Sequence, residues 1–237
     1  MNDPYANYSD VGSAPAAPEP LRQRLEHGIA ELQVDVADSA IDSLVTLALE
    51  LMRWSKAINL TALREPAQVI DLHLLDSLTI APFVTGLNVL DVGTGAGLPG
   101  LPLAILQPDR QFILLDSASK KLRFIDQMIM QLKLKNVSTV HARIEKFQPP
   151  APIDCILTRA FAPLPRMLEG CGHLMQSNGP TGNGHGGSRL LAMKGVWPAD
   201  ELESLPAGYT VNAITPLRVP GVDAERHLIE IVYNPVS

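Results

Sequence analysis

The sequence lacks the features that mark secreted, membrane-spanning and zinc-binding proteins. Its 237 residues include only two cysteines, Cys155 and Cys171, which form no C-x-x-C pair and so argue against a disulfide framework or a zinc site. No apolar run approaches the roughly 20 residues that a membrane-spanning helix requires. The N-terminus has neither the basic segment nor the apolar stretch of a secretory signal, and the six histidines show no metal-ligand spacing. These absences predict a cytoplasmic protein that acts without a metal ion and without a membrane.

Acidic residues outnumber basic ones, but the charge is unevenly distributed. The net charge of the whole chain is −6, which by itself disfavours a nucleic-acid partner. Residues 117–146 nevertheless form a basic segment in which Asp126 and Glu145 are the only acids. Its cationic residues are Lys120, Lys121, Arg123, Lys133, Lys135, Arg143 and Lys146. Such a segment either binds phosphates through its local field or forms a solvated helix face, and charge alone favours neither.

The N-terminal third predicts a tail followed by a small helical subdomain. Residues 1–20 contain four prolines and few large apolar side chains, a composition typical of disorder. From residue 21 onward apolar residues recur at helical spacing and end in a wide apolar stripe near Trp54. Pro66 occupies a position where a third helix can begin. We therefore expect a disordered tail over 1–20 and a helical N-terminal subdomain over 21–85.

After residue 85, apolar strand-like runs alternate with helical runs. This alternation is typical of a parallel β-sheet with helices on both faces, and two final strands without a helix between them suit an antiparallel edge. The predicted strands are 88–92, 111–115, 137–140, 153–157, 189–193, 209–217 and 227–233. The predicted helices are 99–106, 118–132, 164–176 and a short one after Pro198. We therefore predict an α/β, Rossmann-like, mostly parallel sheet over 86–237, with 177–188 as a mobile glycine-rich loop.

A glycine-rich turn follows the first predicted strand. Residues 88–97 read Asn-Val-Leu-Asp-Val-Gly-Thr-Gly-Ala-Gly, so Gly93, Gly95 and Gly97 alternate directly after the strand. Glycine permits the tight turn and the close ligand approach that this position requires. Counted from the first of these glycines, a dinucleotide-binding turn would need glycine at position 98, where the chain has leucine. The pattern D-x-G-x-G-x-G resembles the turn of Rossmann-like enzymes that bind S-adenosylmethionine (SAM), with Asp91 placed to receive ligand or backbone donors.

The next strand ends also carry groups suited to an adenosine ligand, since open α/β sheets bind ligands at the carboxyl ends of their strands. Asp116 ends the second strand, where a carboxylate can accept both ribose hydroxyls or cap the following helix. After the third strand, Glu145 and a backbone amide can read the adenine edge while Ile144 covers the ring face. A helix-start acid near the helix dipole is an equal alternative for Glu145. The fourth strand ends at residues 158–161, the position that faces a transferred methyl group.

Two signatures of other methyl-transferring enzymes are missing at the end of the fourth strand. Enzymes that methylate amino groups place [DN]-P-P-[YFW] there, whereas residues 158–161 read Thr-Arg-Ala-Phe. Enzymes that methylate C5 of pyrimidines need a cysteine nucleophile, and Cys155 falls in the middle of a strand. A target that is already nucleophilic, such as the N7 lone pair of guanine, needs neither device.

These motifs together resemble those of one family. The chain is similar, from about residue 21 to residue 233, to the bacterial small-subunit (16S) ribosomal RNA guanine-N7 methyltransferases, also called glucose-inhibited division protein B. Thr158 departs from the serine that is more common at its position. The resemblance rests on Asn59-Leu60-Thr61, His73 to Ser77, Asp91 to Gly100 with its Gly-Leu-Pro-Gly ending, Leu115-Asp116-Ser117, Arg159-Ala160-Phe161, Met193-Lys194-Gly195, and Gly221 with Glu225 to Leu228.

The resemblance implies a SAM-dependent methyltransferase that modifies N7 of a loop guanine in 16S rRNA. S-adenosylhomocysteine (SAH) would be the product, and naked 16S rRNA or the small ribosomal subunit the partner, with no protein partner implied. Because N7 carries an unprotonated lone pair, we expect in-line attack on the methyl group without a general base. The family implies that SAM contacts Gly93, Leu98, Ile144, Glu145 and Arg159. The turn and the strand ends add Asp91, Gly95, Gly97 and Asp116.

Cations near the predicted cleft are candidates for RNA contacts. We expect Lys120, Arg123, Lys194 and Arg226 to meet rRNA phosphates, with a structural role on the edge strand as an equal alternative for Arg226. Two other functions stay open, a SAM-dependent methyltransferase of small molecules and a non-catalytic ribosome-assembly factor that keeps SAM as a ligand. An apolar cap over the cleft would favour the first, whereas this chain has basic residues there.

His73 and Asp76 stand three residues apart on one face of a predicted helix. That geometry suits acid–base catalysis, or a hydrogen bond between the two side chains that fixes the N-terminal subdomain. The sequence assigns no catalytic residue beyond these alternatives.

Overall fold

The computed structural model describes residues 19–177 and 187–234. Most of the predicted tail and of the predicted glycine-rich loop therefore lies outside the described residues. The tail prediction is wrong for Glu19 and Pro20, which begin the first helix. Both suit that position, because an acid favours the positive helix N-terminus and proline needs no amide hydrogen in the first turn.

Helices form the part of the chain that precedes the sheet. Helix α1 spans Glu19–Leu32, and α2 spans Asp38–Ile58 and ends at Asn59 in the left-handed conformation. Further along, α3 (Pro66–Val69) passes into a π-helical segment, Ile70–Leu75, and then into α4 (Asp76–Leu78), after which a 3-10 turn covers Ala81–Phe83. π-helical turns are rare and occur often at functional sites. This one carries Asp71 and His73.

A seven-stranded sheet in the order β3-β2-β1-β4-β5-β7-β6 forms the centre of the molecule. β1 to β5 pair in parallel, and β7 runs antiparallel to both β5 and β6. The strands are β1 (Asn88–Val92), β2 (Gln111–Asp116), β3 (Val137–His141), β4 (Cys155–Arg159), β5 (Arg189–Lys194), β6 (Tyr209–Pro216) and β7 (His227–Tyr233). The predicted α/β, Rossmann-like, mostly parallel sheet with an antiparallel edge is confirmed.

Helices cover the sheet between its strands, as the alternation predicts. They are α5 (Gly100–Leu106), α6 (Ser119–Leu132), α7 (Leu164–Ser177) and α8 (Ala199–Glu203). The largest difference from the predicted bounds concerns β4, which begins two residues later than expected. Asp154 lies before the strand because its carboxylate accepts the amide hydrogens of Leu87 and Asn88, at 2.7 and 2.8 Å. The shift makes Arg159 the last residue of β4.

The core lies on both faces of the sheet. On one face, side chains of α1, α2 and the π-helical segment join those of α5 and α6 in a single buried cluster that includes Leu25, Leu44, Leu75, Leu101 and Phe124. On the other face a second cluster surrounds α7. The helices before the sheet thus share their core with it, and a separate subdomain ending at residue 85 stays a proposal. None of the described helices is both long and apolar enough to cross a membrane.

Candidate active site

A cavity of about 350 Å³ opens at the carboxyl ends of β1 to β4. This volume is within the range of small-molecule sites, and the sheet order reverses between β1 and β4, where open α/β sheets place their ligands. Strand ends far apart in sequence therefore meet as the strand pattern predicts. The cavity is lined by Gly93, Leu115, Asp116, Ser117, Ala142, Arg143, Ile144, Glu145, Phe161, Ala162, Pro163 and Arg166.

The turn after β1 requires glycine because of its backbone conformation and its packing. Gly93, Gly95 and Gly97 have φ values of +67°, +60° and +81°, which side chains with a Cβ rarely adopt. A Cβ on Gly93 would lie 2.0 Å from the ring of Phe161, and one on Gly97 would lie 2.5 Å from Leu101. Beside Gly95, by contrast, a Cβ would meet no atom closer than 3.9 Å. The turn therefore leaves open space at its central glycine.

Asp91 holds this turn from inside the protein. Its side chain is fully buried, and Oδ2 accepts hydrogen bonds from the Thr94 hydroxyl at 2.7 Å and the Gly100 amide at 2.9 Å. Burial raises the pKa of the Asp91 carboxyl to about 6. The sequence predicts that Asp91 receives either ligand or backbone donors. In the structure its carboxylate accepts from one backbone amide and one side-chain hydroxyl.

Asp116 ties the ends of β1 and β2 together at the cavity wall. Oδ2 accepts the Gly95 amide hydrogen at 2.9 Å, and Oδ1 accepts that of Ala118 at 2.8 Å. Ala118 precedes α6, whose first turn has no side-chain cap, so the ribose-binding and helix-capping alternatives for Asp116 both stay predictions. An ionised carboxylate offers about four acceptor positions, so each oxygen retains capacity for a further donor in the cavity.

Ile144 and Glu145 lie in a short 3-10 helix, Ile144–Lys146, after β3. Ile144 is buried against α7, where a Cβ on Gly170 would lie 3.0 Å from it. Glu145 is exposed and lines the cavity, and its carboxylate forms no hydrogen bond or ion pair with the residues that the structure describes. The arrangement presents an apolar surface and an available carboxylate side by side.

Other predicted SAM-binding residues lie outside the cavity wall, and their contact with SAM stays a prediction. They are Asp91, Gly95, Gly97, Leu98 and Arg159. Arg159 donates from Nη1 to Asp76 Oδ2 at 2.9 Å, and Arg226 donates from Nε to Asp76 Oδ1, also at 2.9 Å. Asp76 is only 4% exposed. One buried carboxylate thus joins α4, the end of β4 and the start of β7.

His73 does not pair with Asp76 in the described contacts, so the predicted hydrogen bond between them is wrong. His73 Nδ1 lies 3.0 Å from the Leu72 carbonyl, which can only accept, so Nδ1 carries the proton. Nε2 then accepts from the Thr61 hydroxyl at 2.7 Å. Burial and the nearby Arg159 guanidinium lower the pKa of His73 to about 4. His73 is therefore a neutral residue that connects the loop after α2 to the π-helical segment.

The four predicted RNA contacts divide into two pairs. Lys120 and Arg123 are exposed in the first turns of α6, which follows Ser117 of the cavity. The Lys194 ammonium group is instead bound within the protein. Its Nζ lies 2.7 Å from Glu201 Oε2 and 3.4 Å from the Ala162 carbonyl oxygen. Arg226 is held by Asp76. A phosphate contact from either of the latter two would compete with a partly buried ion pair.

Three side chains of the cavity wall were not predicted from the sequence to contact RNA. Phe161 is 48% exposed and follows Ala160, whose φ of +50° is unusual for a residue other than glycine. Arg143 and Arg166 are exposed at the cavity and form no ion pair with the described residues. Arg143 was visible as part of the basic segment. Arg166 carries no local signal, because its placement depends on where α7 begins.

A second and larger cavity, of about 490 Å³, lies at the opposite end of the sheet. It is lined by the amino ends of β4 and β5 and includes the Arg189–Glu230 ion pair. Ligands of open α/β sheets bind at the carboxyl ends, so the smaller cavity is the candidate active site. Within residues 19–177 and 187–234 no three His, Cys, Asp or Glu side chains are placed to hold a metal ion, and a metal-free reaction stays a prediction.

Comparison with known proteins agrees with this geometry. Residues 40–229 match the family described as GidB, rRNA small subunit methyltransferase G. The chain belongs to this family. It is 46% identical over 207 residues to Ribosomal RNA small subunit methyltransferase G of Methylococcus capsulatus (strain Bath), covering 87% of this chain and 96% of that protein. The Aeromonas salmonicida protein of the same name is 45% identical over 210 residues, with 89% and 97% coverage.

The fold is also similar to that of solved methyltransferase structures. A SAM-dependent methyltransferase from Aquifex aeolicus superposes with a TM-score of 0.50 at 18% identity, covering 74% of this chain and 97% of that one. At this identity the likeness shows the fold alone. Membership of the GidB family makes the chain an rRNA methyltransferase, and the predicted family resemblance is confirmed.

Proposed function

We propose that the protein transfers the methyl group of SAM, in line, to N7 of a guanine in 16S rRNA, without a general base. The observation that carries this proposal is the cavity at the carboxyl ends of β1 to β4, in a chain of the rRNA small subunit methyltransferase G family. The cavity wall includes Gly93 at the start of the glycine turn, Asp116 and Glu145, which together suit an adenosine bearing an amino-acid chain.

The residues around the cavity fit SAM in three places. The open space beside Gly95 suits the methionine part, because the ligand can approach the backbone there without a Cβ in the way. The Asp116 carboxylate retains acceptor positions for the ribose hydroxyls. Glu145 would accept the adenine amino group while Ile144 covers the ring. SAM would supply the reactive methyl group, and these residues would hold and orient it.

The described contacts also support a mechanism without a base. The two side chains best placed for acid–base work have other roles, since His73 is neutral between Thr61 and Leu72 and Asp76 accepts two guanidinium groups. Guanine N7 has a lone pair at neutral pH and loses no proton on methylation. The task of the protein is then to hold the base and the methyl group in reactive geometry, which can supply on the order of 7–11 kcal/mol.

Both cysteines are unsuited to nucleophilic catalysis, which supports a purine rather than a pyrimidine C5 target. Cys155 and Cys171 are buried, and burial raises the pKa of each thiol to about 12. Thiolate nucleophiles require a lowered pKa and access to the substrate. Cys155 lies within β4 and Cys171 within α7, so neither side chain reaches the cavity wall.

Arginines beside the cavity would hold the RNA. Arg143 and Arg166 line the cavity, and Lys120 and Arg123 extend the basic surface along α6. Their charges suit phosphates, whose contacts provide most of the affinity of proteins for nucleic acids. We propose naked 16S rRNA or the small ribosomal subunit as the substrate in the cytoplasm, with no membrane or protein partner required.

A nucleoside measurement tests the proposal. In a strain that lacks the protein, digested 16S rRNA should have lost one 7-methylguanosine, as measured by mass spectrometry. Expression of the wild type should restore it, and so should the surface variant Glu169→Ala. The double variant Asp116→Ala/Glu145→Ala should not. An unchanged 7-methylguanosine content in the deletion strain would contradict the proposed function.

A further inference from the structure

Exposed apolar side chains gather at the same edge of the sheet as the cavity. The described residues with large exposed apolar side chains are Leu87, Met130, Phe161, Val196 and Trp197. Phe161 follows β4, and Val196 and Trp197 follow β5. Because β4 and β5 are neighbours, with Arg159 paired to Met193, the two loops lie side by side. Leu87, at the amino end of β1, and Met130, on α6, lie elsewhere.

The two loops are held by specific contacts. The Lys194 ammonium group joins them, because Lys194 is the last residue of β5 and donates to the Ala162 carbonyl as well as to Glu201. Glu201 Oε2 also accepts the Leu164 amide hydrogen at 2.6 Å. These bonds fix the backbone directly after Phe161. The exposure of the Phe161 ring is thus maintained by the fold.

A second set of contacts fixes the loop that carries Trp197. His227 Nδ1 donates to the Gly195 carbonyl at 3.2 Å, and the ring of His227 packs edge-on against that of Trp197 at 5.4 Å. Trp197 nevertheless remains 49% exposed and Val196 83% exposed. Burying such a large apolar surface is favourable, so its retention at the carboxyl edge of the sheet indicates a partner.

Charge indicates which partner fits. Arg166 lines the cavity together with Phe161 and is exposed, and its guanidinium group forms no ion pair with the described residues. Exposed aromatic rings interleaved with cations are typical of surfaces that bind unpaired nucleic acid, since rings stack on bases and cations meet phosphates. Proteins that read RNA sequence select unpaired bases in loops for the same reason.

We propose that Phe161 stacks on the target base at the cavity and that Trp197 stacks on an adjacent unpaired base of the same rRNA loop. This inference rests on the proposed function, because it takes the substrate to be 16S rRNA. Phe161 would position the base against the bound methyl donor. Trp197 lies outside the cavity and would contribute to RNA affinity alone.

Tryptophan fluorescence tests the second contact. The chain has only two tryptophans, and Trp54 is 6% exposed and packs against Phe124, so a change on adding 16S rRNA fragments reports Trp197. We expect quenching in the wild type and none in Trp197→Leu. Since one base stack is worth about 1–3 kcal/mol, Trp197→Leu should weaken RNA binding about 5- to 150-fold. Trp197→Phe should keep most of the affinity, and Met130→Ala should match the wild type.

Single-turnover methylation tests the first contact. Phe161→Leu should lower the rate constant measured at saturating RNA and saturating SAM, and Phe161→Tyr should restore the rate. If both leucine variants bind and methylate RNA like Met130→Ala, the stacking proposal is wrong while the proposed function stands. If the wild type is quenched by RNA but transfers no methyl group to it, the proposed function fails and the stacking surface remains.

Discussion

Two halves of one sheet edge differ in the chemical groups that they present. The half formed by β1, β2 and β3 is a cavity wall of backbone amides and carboxylates, several of them already hydrogen-bonded to each other. The half formed by β4, β5 and β7 exposes the rings of Phe161 and Trp197 and the side chain of Arg166, and internal ion pairs hold its loops. The first half suits a small polar ligand and has the exposed cations Lys120, Arg123 and Arg143 beside it, and the second suits the bases and phosphates of RNA.

The halves also differ in how far apart in sequence their contacts reach. Asp91 bonds Thr94 and Gly100, three and nine residues away, and Asp116 bonds Gly95, 21 residues away. On the other half, Asp76 bonds Arg159 and Arg226, at separations of 83 and 150 residues. The first half is therefore built from local motifs. The half formed by β4, β5 and β7 depends on the whole fold being assembled. This difference predicts how each half responds to mutation.

The largest effect is expected at Asp76. Asp76→Ala would leave two partly buried guanidinium groups unpaired, and removing one partner of a buried ion pair typically costs about 3–5 kcal/mol. Urea denaturation should show a loss of that size in the free energy of unfolding. The control is Asp42→Ala, which removes a carboxylate 61% exposed in its pair with Arg22 and should cost at most about 1 kcal/mol. Equal losses in the two variants would contradict the contrast between a buried network and surface pairs.

The next effect concerns the cavity wall and SAM binding. Loss of a hydrogen bond to a charged group costs roughly 1.5–3 kcal/mol, so Asp116→Ala and Glu145→Ala should each weaken SAM binding by about one to two orders of magnitude in calorimetry. Free methionine should bind wild type and Glu145→Ala equally, because Glu145 is assigned to adenine alone. Glu169→Ala, which removes an exposed acid outside the cavity, serves as the control. Unchanged SAM affinity in both cavity variants would refute the assignment.

A smaller effect, on the salt dependence of RNA binding, distinguishes cations that form no ion pair with the described residues from Lys194, which pairs with Glu201. Each phosphate contact contributes about one unit to the dependence of log RNA affinity on log salt concentration. Lys120→Ala and Arg166→Ala should each flatten this slope by about one unit without changing SAM affinity. Lys194→Ala should instead lower stability and leave the slope unchanged, because its ammonium group is engaged by Glu201. A flattened slope in Lys194→Ala would return that lysine to the RNA surface.

The smallest effect, none at all, is expected for His73 in the pH–rate profile. Single-turnover rates between about pH 6 and 9 should have the same shape in wild type and His73→Gln. A limb that disappears in the variant would show a base at work.

Stability should respond to His73 at lower pH. The folded pKa of about 4 lies below the ordinary 6.5, so the unfolded chain binds more protons between these values. Stability should therefore fall as pH drops from about 6.5 to about 4. His73→Gln should weaken that dependence, as measured by denaturation at several pH values.

The same contrast explains which features could be predicted from the sequence. The glycine turn and Asp116 carry their own local pattern, and the alternation of strands fixes their place at the carboxyl edge. The mostly parallel sheet and its antiparallel edge follow from the same alternation. These predictions needed only neighbouring residues and the general geometry of parallel sheets.

The contacts of the half formed by β4, β5 and β7 could not be predicted in the same way. Lys194 at a strand end gives no sign that Glu201 will take its charge, and Arg226 gives none that Asp76 will. The start of β4 was misplaced because Asp154 bonds backbone amides more than 60 residues away. Such contacts depend on three-dimensional packing, which no local periodicity encodes.

The division of labour between the halves can be tested with two variants and two ligands. Affinities for SAM and for a 16S rRNA fragment should be measured for Glu145→Ala and Arg166→Ala against the wild type. Glu145→Ala should lose SAM affinity and keep RNA affinity, and Arg166→Ala should do the reverse. If either variant loses both affinities equally, or if the two losses are exchanged, the two halves do not bind separate ligands and the account is wrong.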